Sequence, residues 1–417
     1  MLTNFKTQSP ECPVHFLPVL IFGLTVFVGS NLLAQSAPGD VVGKITVGYQ
    51  GWFSAQGDNS PEDKWQHQNL EMWPDIREYT TTYQTKLPNL GNGQPARMFS
   101  SYDDQVVQTH FKWMAQSEID CAALQRFASE IEPGTTRKAQ RDGMALKVMH
   151  AAETSNLKFY IMYDASGWGV RGIKADWSDT IVHQLHLTAS RAYAMQNAMP
   201  VVCIYGVGYK GWPATAEDAL DLIDWFKQQG CYVIGSLPGA WRTGNGDARA
   251  DFQSVYTAFN MISAWAVGRR VDQNYEPWIA GDYAFCRSHG IDYQPCAYPG
   301  TSFFNSNHSR KNLIPRNHGD FMWSQFVTMR QTGVQSVYIA MFDEMNEATS
   351  IFKCAEDKSM IPAGEWFLPL DADGVHVSSD FYLRLTRDAG RMIKGQISLQ
   401  RNCPTPITLS IQPATRP

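Results

Sequence analysis

The signatures of nucleotide and metal binding are missing from this sequence. The stretch GYQGWFSAQGD follows the first apolar run and carries Gly48, Gly51 and Gly57, but not at the spacing of a Gly-x-Gly-x-x-Gly phosphate loop. Neither the HExxH nor the CxxC spacing of common metal sites occurs. A dinucleotide-binding sheet is therefore disfavoured, and we expect no metal ion and no cofactor.

Charge of one sign is also scarce. The chain has 35 Lys and Arg against 40 Asp and Glu, a formal net charge of −5. Such a weak field gives no reason to expect nucleic acid or an anionic membrane as the main partner. Aromatic residues, in contrast, reach 12%, with 13 Trp and 17 Tyr. They fit either a large aromatic core or a cleft that stacks against the flat faces of sugars, and composition does not separate the two.

Long apolar runs are confined to the N-terminus. The run FLPVLIFGLTVFVGSNLLA ends at Ala34 and is followed by QSAPGD. This pattern predicts a signal peptide over 1–34, cleaved near Ala34 or Ala37, and a secreted or periplasmic protein. The alternative is an uncleaved anchor helix, because Lys6 is the single Lys or Arg before the run. No other stretch has the ~20 apolar residues of a spanning helix.

Cysteine is sparse, and the predicted mature chain keeps an odd number. Losing Cys12 with the signal peptide leaves seven of the eight cysteines, so the fold is not a disulfide scaffold. Cys286 with Cys296, and Cys354 with Cys403, are candidate bridges. Three others lie in apolar runs and are expected in the core: Cys121, Cys203 and Cys231.

Short apolar runs alternate with amphipathic stretches along the chain. The expected strands are 45–50, 120–127, 158–164, 201–206, 231–236, 259–265, 291–298 and 336–342. The expected helices are 104–117, 136–155, 179–197, 216–229, 248–258, 278–289, 319–332 and 379–394. Eight strands in strict alternation with eight helices predict an α/β fold, a single-domain (β/α)8 TIM barrel over 40–400. Residues 401–417 form a tail or a short edge strand, and a doubly wound sheet is the alternative fold.

Polar and aromatic side chains follow the predicted strands, whose interiors stay apolar. Because TIM-barrel active sites lie at the C-terminal ends of the strands, these side chains are candidates for a binding cleft. The candidates are Tyr49, Trp52, Gln125, Arg126, Asp164, Tyr205, Trp265 and Tyr298. Several have structural alternatives: the two tryptophans can be core, Asp164 can cap a helix, and Arg126 can hold an acid in place. His110 is best explained as a helix histidine with satisfied hydrogen bonds.

The last predicted strand ends in a cluster of acids. The run VYIAMFDEMNEATSIFK places Asp343, Glu344 and Glu347 directly after six apolar residues. Crowded carboxylates are costly unless the charges are used. Glycoside cleavage needs two such groups, one protonated to assist the leaving oxygen and one ionised. The structural alternative is that EMNE begins a solvated helix.

The motif MFDEMNEATSI resembles the FNEWHEGTQI pattern of glycoside hydrolase family 99, the endo-α-mannosidases and endo-α-mannanases, and of its relative family 71. The segments GYQGWF, SSYDDQVVQTHFKWM (100–114) and IDCAALQRF (119–127) are similar to family segments in the same order. The resemblance spans about Val47 to about Phe352. It is nearest to the 71/99-like group, whose members are often labelled xylosidase or arabinosidase.

The resemblance implies a (β/α)8 retaining glycosidase that acts on α-linked sugars. Glu344 would be the general base on the sugar 2-hydroxyl, giving a 1,2-anhydro intermediate, and Glu347 the general acid and then the base for water. The sequence departs from the family where Met345 and Asn346 replace Trp and His. Ala348 and Phe352 likewise replace a Gly and an acid, so the mannose preference does not carry over.

We therefore expect a secreted, monomeric retaining glycoside hydrolase of polysaccharide degradation, acting on an α-linked polysaccharide or oligosaccharide. Glu344 and Glu347 are the predicted catalytic residues, and Asn346 joins the substrate-binding candidates. Two alternatives remain open at this point. One is a non-catalytic carbohydrate-binding barrel, and the other is a lyase or another hydrolase that uses the same acids.

Overall fold

The computed structural model of the protein describes residues 35–408. The predicted signal peptide over 1–34 and the end of the predicted tail, 409–417, lie outside the described residues. Among residues 35–408, no helix is long and apolar enough to cross a membrane. The described part of the tail, 401–408, forms bends rather than an edge strand, and Thr405 donates to Asp388.

A curled, mostly parallel sheet lies at the centre of the molecule. Its parallel strands are β1 Ile45–Tyr49, β2 Cys121–Phe127, β3 Lys158–Asp164, β4 Met199–Tyr205, β5 Tyr232–Leu237, β6 Met261–Ala264, β7 Asp292–Tyr293, β8 Cys296–Ala297 and β9 Val337–Ile339. Most of their residues are buried, because helices and loops cover one face and strand side chains fill the other. This double burial explains the continuous apolar runs of the sequence.

The order of the strands shows how the sheet curls. It runs β7-β6-β5-β4-β3-β2-β1-β9-β8, so its two ends, β7 and β8, belong to one segment interrupted at Gln294 and Pro295. The first half of this segment pairs with β6, and Gln294 N donates to Ile262 O. The second half pairs with β9, and Tyr338 N donates to Pro295 O. The sheet is therefore strongly curled, and its strand order is consistent with a (β/α)8 barrel.

Helices follow most of the strands. They are α1 Asp104–Gln116, α2 Thr136–Ser155, α3 Asp176–Gln184, α4 Ala216–Gln228, α5 Gln253–Tyr256, α6 Tyr275–Ser288, α7 Asp320–Thr332 and α8 Phe381–Ile393. Six agree with the predicted bounds within three residues at each end: α1, α2, α4, α6, α7 and α8. α4 begins with a capping box between Thr215 and Asp218.

The helix predicted over 179–197 is the clearest error of the sequence analysis. α3 is a π-helix that ends at Gln184, and Met195–Gln196 instead forms a short strand antiparallel to the start of β4. Asn197 and Ala198, with φ of 53° and 61°, make the two-residue hairpin between them. Positive φ at both turn residues matches the twist of a hairpin, and this local geometry ended the helical pattern early.

A glycine in β1 is required by the packing inside the sheet. A Cβ atom placed on Gly48 would lie 2.1 Å from the Tyr338 hydroxyl and 2.2 Å from the Met341 sulfur. The Tyr338 hydroxyl itself lies 3.3 Å from that sulfur. The missing side chain at position 48 therefore leaves the room in which Tyr338 and the start of the acidic segment pack.

The cysteines do not form the expected bridges. All seven cysteines of the described chain are free, including the predicted pairs Cys286 with Cys296 and Cys354 with Cys403. Six are buried and one, Cys403, is partly exposed. Burial also raises the pKa of the Cys296 thiol to about 12, so it stays protonated. These cysteines act as small core residues.

Candidate active site

The acids after β9 lie on a closed loop, not on a helix. β9 ends at Ile339, three residues before the predicted end of the strand, and the chain then turns. The carbonyl of Glu344 accepts from the N–H groups of Thr349 and Ser350, and Ile351 N donates to Met341 O. We call residues 340–351 the acidic loop. Its own backbone hydrogen bonds fix where the carboxylates point.

Asp343 ties the acidic loop to the end of β1. Its two carboxylate oxygens accept from the backbone N–H groups of Gln50, at 2.8 Å, and Gly51, at 2.9 Å. The side chain is fully buried, and burial raises its pKa to about 6, against the opposing effect of the two N–H donors. Asp343 thus positions the loop and is closed off from solvent.

Glu344 is held at the mouth of the sheet by two donors. Gln50 Nε2 donates to one carboxylate oxygen at 2.8 Å, and the backbone N of Asn346 donates to the other at 3.0 Å. The residue is 3% exposed. Burial raises its pKa well above the usual value, and the charges of Glu347 and Asp343 raise it further.

Glu347 lies next to Glu344 and is more open. It is half-buried, and within the described chain its carboxylate has no recorded hydrogen bond, whereas its backbone carbonyl accepts from Ser302 N and the Thr301 hydroxyl. Burial raises its pKa to about 6. The two glutamates interact electrostatically, so they share a site and compete for a proton.

Two further strand ends bring polar groups to this face of the sheet. Gln125 Nε2 donates to Asp164 Oδ2 at 2.8 Å, and Ser166 donates to Asp164 Oδ1 through its backbone N at 2.9 Å and its hydroxyl at 2.5 Å. Gln125 and Asp164 are each 7% exposed. Burial raises the pKa of Asp164. Asp164 caps a turn through Ser166, not a helix as its structural alternative predicted, and also presents a carboxyl group beside Gln125.

Aromatic side chains stand beside the acids. The ring of Tyr205, at the end of β4, lies 5.1 Å from that of Trp265, just after β6, and Trp265 lies 6.2 Å from Tyr338. Burial raises the pKa of Tyr205, and the nearby Tyr209, Asp164 and Glu347 raise it further. Tyr205 thus lies near enough to Asp164 and Glu347 to feel their charges. Tyr205 and Trp265 are partly exposed, as a stacking surface requires.

A second aromatic pair lies at the ends of β1 and β2. Trp52 and Phe127 are stacked with ring centroids 5.4 Å apart and planes 4° apart. Both are half-buried, and the guanidinium of Arg141 lies 5.5 Å from the Phe127 centroid. Trp52 is therefore a rim residue, already stacked on a protein ring. Phe127 was not a candidate, although its position at the end of a predicted strand pointed to it.

Three predicted substrate contacts do not reach this site. Tyr49 is fully buried, and its hydroxyl lies 2.9 Å from Nδ1 of His110, whose pKa burial lowers to about 3. The hydroxyl of Tyr298 donates to the carbonyl of Arg269, and the residue is 1% exposed. Both tyrosines belong to the core because their hydroxyls found partners inside it. His110 is the satisfied helix histidine that the sequence favoured.

Arg126 is the third predicted substrate contact that does not reach this site. It is part of a buried ion network. Its guanidinium donates to both oxygens of Asp176 at 2.6 Å and to Asp142 at 2.7 Å. Lys138 bonds Asp142 at 2.7 Å, and Tyr163 donates to Asp176. Arg126 therefore holds acids of α2 and α3 against β2 through its Nε and Nη2 atoms. Its structural alternative was the correct interpretation.

Asn346, the remaining candidate, joins the acidic loop to the segment between β1 and α1. Its amide donates to Gln68 O at 2.5 Å. Two more backbone bonds follow, from Glu71 N and Met72 N to Met345 O. Asn346 thus supports the loop, and the long 54–103 segment reaches the acidic loop through these bonds.

Glu71 is a site residue that the sequence analysis missed. It is fully buried, and its carboxylate accepts from the Ser302 hydroxyl at 2.7 Å and from the backbone N–H groups of Asn305 and Ser306. Ser302 N in turn donates to the carbonyl of Glu347. No local pattern distinguishes this glutamate from a surface one, because its partners lie more than 200 residues away in sequence.

Comparison with known proteins supports the fold assignment. No protein-family model matches the chain, and no curated protein gives a match. A GH99 endo-α-mannosidase from Bacteroides thetaiotaomicron, in complex with bis-tris-propane, superposes with a TM-score of 0.63 at 11% identity, covering 85% of this chain and 98% of that one. The chain shares the fold of a family-99 endo-α-mannosidase.

Two other solved structures agree. A second structure of the GH99 endo-α-mannosidase from Bacteroides thetaiotaomicron gives a TM-score of 0.62 at 12% identity, over 85% of this chain and 98% of that one. A glycoside hydrolase-like protein gives 0.52 at 12% identity, over 87% and 97%. At such identities the likeness establishes the fold of this chain, and its chemistry has to be argued from its own residues.

Proposed function

We propose that this protein is a secreted, monomeric retaining glycoside hydrolase acting on an α-linked polysaccharide or oligosaccharide. Its catalytic domain, residues 40–400, would be a closed (β/α)8 barrel with β7 and β8 as the two halves of the seventh strand. The observation that carries the proposal is the coupled pair Glu344 and Glu347 at the strand ends, beside Tyr205 and Trp265. Paired carboxyl groups next to aromatic rings suit glycosidic bonds.

The electrostatics of the pair favour a shared proton. With both pKa values raised, the pair keeps a proton at a pH where two separate glutamates would both be ionised. Productive chemistry needs that proton on Glu347, the general acid. In this state the charge of Glu347 no longer opposes ionisation of Glu344, and the donors Gln50 and Asn346 stabilise the Glu344 carboxylate.

The chemical steps then follow from the two positions. Glu344, ionised, removes the proton of the sugar 2-hydroxyl, which closes onto the anomeric carbon as the glycosidic bond breaks. Glu347 protonates the departing oxygen and afterwards takes a proton from the water that opens the 1,2-anhydro sugar, while Glu344 returns its proton to the 2-oxygen. Net retention results from two inversions. Gln125 and Asp164 lie where they can hydrogen-bond further hydroxyls.

The decisive test uses the isosteric variants Glu344→Gln and Glu347→Gln. Each should reduce turnover of an α-linked substrate by at least about 10³-fold, since each removes one proton-transfer group. Glu276→Gln, on the exposed first turn of α6, is the matched control and should keep native activity. Circular dichroism verifies folding of all three variants.

The substrate screen compares α-mannan, α-1,3-glucan, and arabino- and xylo-configured substrates, with products followed by NMR for anomeric form. If the first product released has the α-configuration, the enzyme retains the anomeric configuration. An unsaturated sugar product would instead indicate a lyase. Binding to one of these glycans without any cleavage would contradict the hydrolase assignment and favour the non-catalytic carbohydrate-binding barrel.

A further inference from the structure

A wide groove lies beside the acidic loop and is not part of the site described above. Its volume is about 800 Å³, and neither Glu344 nor Glu347 lines it. Its walls come from the 54–103 segment and from residues 365–367. A cavity of this size is typical of a small-molecule or oligosaccharide site and large for a packing defect.

Aromatic side chains from both walls line the groove. Trp65 and Trp366 are half-buried, so each leaves part of its indole open. Trp73 is buried, and its ring lies 5.1 Å from that of the half-buried Phe367. Trp65 is braced by His67 at 4.8 Å. Rigid, braced and partly open indoles from two separate segments form surfaces on which flat, weakly polar rings can stack.

The polar lining of the groove is almost neutral. Asn69 and Gln84 contribute exposed amide groups, while Lys86 and Glu365 contribute one charge of each sign. Amides donate and accept hydrogen bonds at once, which matches sugar hydroxyls. A phosphate or nucleic-acid site would need clustered cations, and a lipid surface would need fewer amides. The lining therefore fits a neutral carbohydrate.

The groove wall is joined directly to the acidic loop. Asn69 and Leu70, which line the groove, lie between Gln68, whose carbonyl accepts from Asn346, and Glu71, whose N–H donates to Met345. A chain bound along this wall would thus continue from the residues that flank Glu347. This link to the acidic loop favours an extension of the substrate site over an unrelated surface pocket.

We propose that the groove binds the outer sugar residues of a neutral α-linked glycan whose scissile bond lies at Glu344 and Glu347. The proposal deepens the proposed function and rests on it for the link to catalysis. It makes the enzyme selective for long chains: the indoles of Trp65 and Trp366 stack on sugars remote from the cleaved bond, and this remote binding energy lowers the barrier.

The test compares the native protein with Trp65→Ala, Trp366→Ala and the double variant. For each, the ratio of kcat/KM on an α-linked hexasaccharide to kcat/KM on a short aryl α-glycoside is measured. We expect this ratio to fall about tenfold for each single variant, as removing a stacking tryptophan does. Trp225→Ala, a half-buried tryptophan on α4, is the control and should keep the native ratio. An unchanged ratio in the double variant would overturn the groove while leaving the hydrolase proposal intact.

A binding measurement tests the groove independently of the hydrolase proposal. Affinity for the hexasaccharide is measured by calorimetry in Glu347→Gln, alone and combined with Trp65→Ala plus Trp366→Ala. Loss of affinity in the combined variant supports the groove even if the native protein cleaves nothing. Equal affinity with and without the two tryptophans contradicts it.

Discussion

Glu71 shows how a single buried carboxylate can position a proposed catalytic residue that it does not touch. It fixes residues 302–306 by three hydrogen bonds, and Ser302 then fixes the backbone of Glu347. An unpaired buried charge is costly, so this arrangement persists only because every donor is in place. Glu71 is therefore a positioning residue of the proposed mechanism.

We predict that Glu71→Gln lowers kcat more than it changes KM. The amide replaces one acceptor oxygen with a donor that faces backbone N–H groups, at a cost of about 1–3 kcal/mol in unfolding free energy. The freed 301–302 segment also lets Glu347 shift, which moves its ionisation in the pH–rate profile. Glu217→Gln, exposed on α4, is the control. A stability loss with native kcat and an unmoved profile would reduce Glu71 to a purely structural role.

At the scale of elements, the Arg126 network decides how α2 and α3 pack on β2. The guanidinium is 2% exposed, and its Nε and Nη2 atoms bind the carboxylates of Asp176 and Asp142. The strand-end rule placed Arg126 at the correct end of β2. It did not give the side of the strand on which the side chain lies, because that depends on helices that pack from other parts of the chain.

We predict that Arg126→Ala is destabilising and nearly neutral for substrate binding. Removing the guanidinium leaves Asp176 buried without its main partner, which costs about 3–5 kcal/mol. Chemical denaturation measures this loss, and Arg126→Lys should recover part of it. KM of the variant at a temperature where it is folded should stay within about twofold of native, since the side chain contacts no substrate. A large rise in KM with native stability would return Arg126 to the binding site.

The acidic loop shows where element prediction ended. The apolar run up to Phe342 predicted a longer strand, but pairing stops at Ile339 because the chain turns to let Asp343 cap the end of β1. An apolar run indicates that residues are buried, and the residues of this run stay buried beyond the end of the strand. The sequence located the carboxylates correctly, while the closed loop that aims them depends on contacts with residues 50–51 and 301–302.

For the whole molecule, the raised pKa values of the acids predict a pH-dependent stability. Glu347 titrates near 4.5 in the unfolded chain and at about 6 in the native state, so the native state holds its proton to higher pH. The folded state is therefore favoured most below pH 4.5 and loses about 1–2 kcal/mol from this group as the pH rises through about 6. The cause of this loss is the burial of the Glu347 carboxylate, whose charged form is the less stable one in the native state.

We predict that Glu347→Gln is more stable than the native protein at pH 8 and nearly equal to it at pH 4.5. The gain at pH 8 should be about 1–2 kcal/mol, measured from the midpoints of denaturant unfolding at both pH values. Glu276→Gln should show no such difference between the two pH values. An equal effect of Glu347→Gln at both pH values would mean that the native pKa of Glu347 is not raised.

The sequence by itself determined the alternation of strands and helices, the end of the sheet that carries polar groups, and the position of Glu344 and Glu347 just after the last strand. These depend on local periodicity and on position after a strand, which short stretches encode. Only the tertiary structure decided that Arg126, Tyr49 and Tyr298 turn into the core, that Glu71 supports the site, and that a groove opens beside Trp65 and Trp366. Each of these features depends on which residue from a distant part of the chain packs against it. The sequence of one segment does not specify how it packs against another.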